Sequence, residues 1–342
     1  MSLRSYVHIS IPFASSMKIH RVKVVMAMKV EIQSRKLIKP SVSTPSALRQ
    51  YKLSIIDELS PEMNIPLVLF FPPNLHTSQE PIAQLKESLK EALTPFYPFA
   101  GSYMENISTI DCNDQGVEFI QARADITIKE ILDHKLDPHT VNQLSPSKLL
   151  GSNVTNAMLA TQVTMFQCGG LALSVSIAHR IGDASAMNSF LTQWATLSRK
   201  NIKVESCGTD FTSSLLFPAQ GLPSIEVGFA KLPINDEYVT KRLSFNANGI
   251  SNMKAKVMRN GDSNTRQLFK VQLVSALIWK TFSDVDYAIH GHPRDSILLQ
   301  SLALRQKGEK LASMKAKISL GNHWGPIITR CDATKTVKEP EE

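Results

Sequence analysis

The chain has 342 residues, of which 43% are hydrophobic, 20% charged and 7% aromatic, with 15 glycines and 18 prolines. This composition excludes a disordered chain, a collagen and a coiled-coil rod, and fits a soluble globular protein that buries a large core in one large or two ordinary domains. The formal net charge of +8 does not point to nucleic acid: Arg4, Lys18, Arg21 and Lys23, with no acid in the first 27 residues, supply half of it. The other basic residues are scattered, without the aromatic interleaving of a stacking platform. They suit an anionic small ligand.

In chain order, residues 1–27 are basic, contain serine and lack acids, the composition of a transit peptide. His8, Ser10 and Pro12 interrupt the apolar stretch, so a secretory signal is unconvincing. The expectation is an unstructured leader, with the fold starting at Met28. Residues 30–38 partly alternate apolar and polar, as a half-buried strand does. Residues 40–45 form a proline-rich loop. Residues 51–55 read as a strand and 67–71 as a fully buried one. The apolar run 65–71 is far too short to cross a bilayer as a helix. Apolar positions 82, 85, 89 and 93 have helical spacing, and Pro95 and Pro98 end that helix. Residues 117–122 read as a strand behind the turn Asn113-Asp114-Gln115-Gly116.

Residues 159–166 and 171–177 read as a β-hairpin closed by Gly169 and Gly170. Residues 178–183 follow as a loop, and apolar positions 186, 187, 190, 191, 194 and 197 predict a helix. Residues 199–235 are polar, rich in Pro, Gly and Ser, and without periodicity, as a crossover linker is. Beyond it, 240–245 reads as a strand, 269–282 as an amphipathic helix and 297–304 as a strand. The expected organisation is a leader (1–27), an N-terminal domain (28–198), a linker (199–235) and a C-terminal domain (236–342).

Cysteines stand at 112, 168, 207 and 331, with no C-x-x-C pair. They read as reduced thiols of a cytoplasmic protein. The glycosylation tripeptides at Asn106 and Asn153 are the kind that arise by chance.

One of the nine histidines stands out. His179 leaves a buried strand into a short loop holding Gly182, four residues before Asp183. A side chain there is fixed by the sheet and can still face a cleft. A neutral imidazole suits proton abstraction from an alcohol whose oxygen attacks a carbonyl. The competing reading is a satisfied structural histidine at a strand end. Asp183 either orients the imidazole, as in a triad, or turns away to lock the loop by pairing with an arginine.

Residues 161–185 (TQVTMFQCGGLALSVSIAHRIGDAS) resemble the signature of the plant BAHD acyltransferases, coenzyme A-dependent O- and N-acyltransferases. Residues 85–101 (LKESLKEALTPFYPFAG) resemble the family's first helix and the turn after it. Residues 271–280 (VQLVSALIWK) resemble its C-domain helix. Residues 301–305 (SLALR) and Gly321-Asn322 resemble its Asn-Leu-Arg and Gly-Asn segments. The match runs in order from Met28 to about Gly325. The resemblance implies a two-domain α/β fold with mixed sheets and an interface channel. His179 then lies mid-channel as the base, and Asp183 is structural and pairs with an arginine, for which Arg305 is the candidate. Gly182 shapes the loop, and Ala184 stands where Gly is frequent.

The nearest branch acetylates alkaloids and terpenoids. That implies a monomer taking acyl-CoA, acetyl-CoA foremost, and a small-molecule alcohol, with no permanent cofactor, metal, nucleic acid or membrane. The family's Asp-Phe-Gly-Trp-Gly signature is absent, so an incomplete C-terminal domain is expected. With it comes an alternative: a non-catalytic paralogue that binds ligand or partner without turnover.

Other groups carry less. His290 and His292 lack a third ligand nearby, which disfavours a metal site. Cys168 reads as a buried structural thiol rather than a nucleophile. Lys254, Lys256, Lys270 and Arg266 either meet the phosphates of coenzyme A or form a solvated helix face. No phosphate-loop, dinucleotide or serine-hydrolase motif is present.

Overall fold

A computed structural model describes residues 8–12, 28–73, 81–104, 107–133, 138–146, 157–199, 209–222, 238–259, 268–305 and 318–333. The chain divides into two compact units, and the larger, residues 14–237 with 303–324, carries most of the core. Its elements are β1 (Val30–Ile38), α1 (Ile55–Glu58), β2 (Asn64–Phe71), α2 (Pro81–Leu93), β3 (Val117–Ala124), β4 (Leu159–Met165), β5 (Leu171–Ala178) and α3 (Ala184–Leu197).

The strands form one mixed sheet in the order β1-β3-β4-β5-β2. Only β3 and β4 run parallel; the other three pairings are antiparallel. β4 and β5 sit centrally and are buried along nearly their whole length, which is why their sequences are apolar with few interruptions. The glycine pair closes their hairpin, with Gly169 at φ 79°. A second, antiparallel sheet joins residues 50–52, 109–111 and 102–104.

α2 and α3 pack together over one face of the large sheet through Trp194, Phe190, Leu89 and Leu93, all fully buried. Phe99 meets Phe190 edge-on at 5.2 Å. The Trp194 indole N–H donates to Ser88 Oγ at 3.0 Å, so its one polar atom is satisfied inside the core. On the other face, Met28, Ile128, Ile131, Leu144 and Phe166 form a smaller cluster.

The smaller unit comprises residues 1–13, 238–302 and 325–342. It contains α4 (Ala247–Arg259), α5 (Lys270–His290) and, apart from Ala303 and Trp324, β6 (Ser296–Ala303) and β7 (Trp324–Cys331), with β6 paired to β7. No described helix is long and apolar enough to cross a membrane.

Four expectations are corrected. His8–Pro12 pairs antiparallel with Tyr238–Arg242, so these five residues of the stretch read as a leader are strand. β2 is half-buried rather than fully buried, because among the described strands it lies at the sheet edge with a single neighbour. Residues 209–222, inside the stretch read as linker, belong to the larger unit. Thr209–Asp210 pairs with Ile318–Ser319 and a single helical turn follows; both are too short to show a period. Residues 303–324, read as C-terminal domain, also belong to the larger unit.

Candidate active site

β5 delivers His179 to the end of the sheet. The His179 backbone N–H donates to the Met63 carbonyl at 2.8 Å, just before β2 begins. A single 3-10 turn, His179–Ile181, then carries the chain to Gly182 and α3. Gly182 is extended, with φ 178°. Its backbone needs no glycine, but its surroundings do: a Cβ there would lie 2.8 Å from the Ala186 Cβ, at the first turn of α3.

Asp183 is the N-cap of α3. Its Oδ1 accepts from the Ser185 and Ala186 N–H groups, both at 3.0 Å. Its Oδ2 turns away from His179 and accepts from Arg305 Nη1 at 2.6 Å and the His323 N–H at 3.0 Å. Arg305 also donates to the Gly321 carbonyl at 2.9 Å. The ion pair is only 13% and 14% exposed. Burial pushes the Asp183 carboxyl upward, but Arg305 and the backbone donors outweigh it and hold the group below its ordinary value. Of the two roles open to Asp183 in the sequence, the geometry is that of the loop lock.

The partner of His179 is Asn322. The imidazole Nδ1 lies 3.1 Å from Asn322 Oδ1. Asn322 Nδ2 donates to the His179 carbonyl at 2.6 Å and to Asp57 Oδ1 at 2.8 Å. Both of those neighbours only accept, so Nδ2 must be the amide nitrogen and Oδ1 must face the ring. Nδ1 then carries the proton, and Nε2 holds the lone pair. No described residue hydrogen-bonds Nε2, and the side chain is half-buried at the end of the sheet. This is the arrangement a proton acceptor requires.

Sequence reasoning placed Gly321-Asn322 in a family segment but gave Asn322 no role, and it missed His323 and Asp57. His323 is fully buried. Burial and the Arg305 charge lower its pKa from 6.5 to about 4, against weaker pulls from Asp183 and Asp210. The one sequence signal for Asp57 was Ser54-Ile-Ile-Asp57, the spacing of a capping box.

Cys168, expected to be buried, is exposed, because it sits in the turn of the β4–β5 hairpin. His290 is at the end of α5 beside Arg294 and Asp286. Lys256 and Lys270 are exposed on helices of the smaller unit and Lys254 is half-buried; Arg266, Cys207, Asn106 and Asn153 lie outside the described residues.

The scaffold is mixed α/β, with a histidine at the end of its sheet and the neighbouring carboxylate paired to Arg305, and the comparisons place it among enzymes of the transferase class. A family model described as Transferase family matches residues 28–341, and the chain belongs to this family, the BAHD acyl-CoA-dependent acyltransferases. It is 32% identical to vinorine synthase of Rauvolfia serpentina over 289 residues, which is 82% of this chain and 67% of that protein. It is equally 32% identical to a limonoid 7-O-acetyltransferase of Citrus sinensis, covering 92% of this chain and 71% of that one. The crystal structure of vinorine synthase superposes with a TM-score of 0.76 at 29% identity, covering 92% of this chain and 73% of that chain. The F. sporotrichioides TRI101 structure, complexed with coenzyme A and T-2, gives a TM-score of 0.61 at 16% identity, over 85% of this chain and 71% of that one; it shares the fold.

Proposed function

We propose that this protein transfers an acetyl group from acetyl-CoA to a hydroxyl of an alkaloid or terpenoid, with His179 as the general base. The observation that carries the reading is the hydrogen-bonded state of His179: Nδ1 is committed to Asn322, which leaves Nε2 with a lone pair. The relatives support the substrate class, since they include alkaloid and limonoid O-acetyltransferases. In the reaction, Nε2 takes the hydroxyl proton as the alcohol oxygen bonds to the thioester carbonyl carbon. The tetrahedral intermediate expels the thiolate of coenzyme A, and the imidazolium returns the proton to it. No acyl-enzyme forms. Acyl-CoA and the alcohol are both substrates, and the chain acts as a monomeric cytoplasmic enzyme.

The test is incubation of the purified protein with radiolabelled acetyl-CoA and a panel of hydroxylated alkaloids and limonoids. Labelled ester that disappears in His179→Ala is expected. Coenzyme A binding with no ester from any acceptor would instead describe a non-catalytic ligand-binding protein.

A further inference from the structure

We propose that Asp57 is a positioning residue for His179, acting through Asn322 to select the ring tautomer; the inference rests on the base assignment above. Asp57 lies in α1, 122 positions before the histidine in the sequence, and is fully buried. Its two oxygens do different work. Oδ2 accepts from the Ser54 N–H at 2.8 Å and the Ser54 hydroxyl at 2.7 Å, which closes the capping box of α1. Among the described residues, Oδ1 accepts only from Asn322, from its backbone N–H at 2.7 Å and from Nδ2 at 2.8 Å. Four donors thus fill the four lone-pair sites of the carboxylate; burial pushes its pKa upward, and these hydrogen bonds oppose the rise.

A four-residue helix needs one capping oxygen, and an exposed one would serve. Burying a whole carboxylate for that purpose is costly. The second oxygen has another consequence. An asparagine side chain can present either its oxygen or its nitrogen to a ring. With Oδ1 toward His179, Nδ1 donates and Nε2 stays basic. With Nδ2 toward it, Nδ1 becomes the acceptor and Nε2 carries the proton, which disables it as a base. The Asp57 carboxylate accepts, and together with the His179 carbonyl it holds Nδ2 on their side and leaves Oδ1 for the imidazole. An asparagine at position 57 removes one of these two acceptors, since its amide can donate to Asn322 Oδ1, and the His179 carbonyl is then the only one left opposing turnover of the side chain. A triad whose aspartate becomes asparagine fails by the same wrong-tautomer route.

The test is a long-range proton–nitrogen NMR spectrum of the uniformly nitrogen-15-labelled protein, with the His179 ring identified by its loss in His179→Ala. The neutral ring of the wild type is expected as the Nδ1–H tautomer, and an Nε2–H ring would overturn the proposal. In Asp57→Asn, the ring should shift toward Nε2–H. With acetyl-CoA and the acceptor found above, kcat should fall by at least about tenfold while KM for acetyl-CoA stays within about twofold. A folded Asp57→Asn protein with wild-type tautomer and kcat would also overturn it. Should that variant fail to fold, the wild-type spectrum decides alone. A His179→Ala enzyme that keeps its activity would refute the base while leaving the tautomer measurement standing.

Discussion

Lowering the pH from 7 to 5 should cost the protein about 2 kcal/mol of stability through His323 alone. Its imidazole is fully buried, and burial together with the Arg305 charge lowers its pKa to about 4 from the ordinary 6.5. Asp183 and Asp210 pull weakly the other way. The folded state therefore keeps His323 neutral at pH 5, where the unfolded chain has protonated it. Unfolding takes up almost one proton per molecule in that window, so stability is complete above 6.5 and declines as pH falls toward 4. Integrating that uptake between pH 7 and 5 gives the 2 kcal/mol, a large part of the roughly 5–15 kcal/mol typical of a domain. Asp183 does not confuse the measurement, because its pKa is held below 3.8. The assay is urea unfolding at pH 7, 6 and 5, followed by fluorescence and circular dichroism, for the wild type and His323→Leu. Every group other than position 323 is common to the two proteins and cancels in the difference. Parallel stability-versus-pH lines for the two proteins would refute the reasoning.

Three further outcomes are expected. His179→Ala should lower kcat by at least about 10²-fold with an unchanged urea midpoint, read by radiolabelled ester and by unfolding curves. Arg305→Leu leaves a buried carboxylate facing no cation and should cost about 3 kcal/mol. It should also raise the pH of acid unfolding, since the wild type keeps its Asp183 contribution until pH falls below 3.8 through the lowered value. Gly182→Ala forces a methyl to 2.8 Å from Ala186, so the start of α3 must shift; loss of kcat should exceed loss of thermal stability in a matched pair of assays.

The elements that carry the sheet were legible because their signals are local. The alternation in residues 30–38, the helical spacing of residues 81–93 and the glycine pair at 169–170 each fix a conformation within a few residues. His179, Gly182 and Asp183 were legible for the same reason, since strand, loop and helix follow one another there. Burial of β2 was misread, because a uniformly apolar run does not say whether a strand has one neighbour or two. Residues 209–222 were invisible as structure, because a two-residue strand and one helical turn have no period. Asn322 and Asp57 could not be assigned roles from local pattern. Their contact joins residues 265 positions apart, and nothing near Ser54-Ile-Ile-Asp57 indicates what the second carboxylate oxygen meets.

The distance along the chain between His179 and Asn322 has a consequence for synthesis. At roughly 5–20 residues per second, the ribosome needs about 7–30 s to add the 143 positions that separate them. For that interval the five strands can pair, but the carboxylates of Asp57 and Asp183 wait inside the nascent protein for donors still to be translated. Assembly of this corner is thus a late event in the life of each new molecule, and a ribosome stalled before codon 322 would release a sheet whose His179 ring lacks its Asn322 partner.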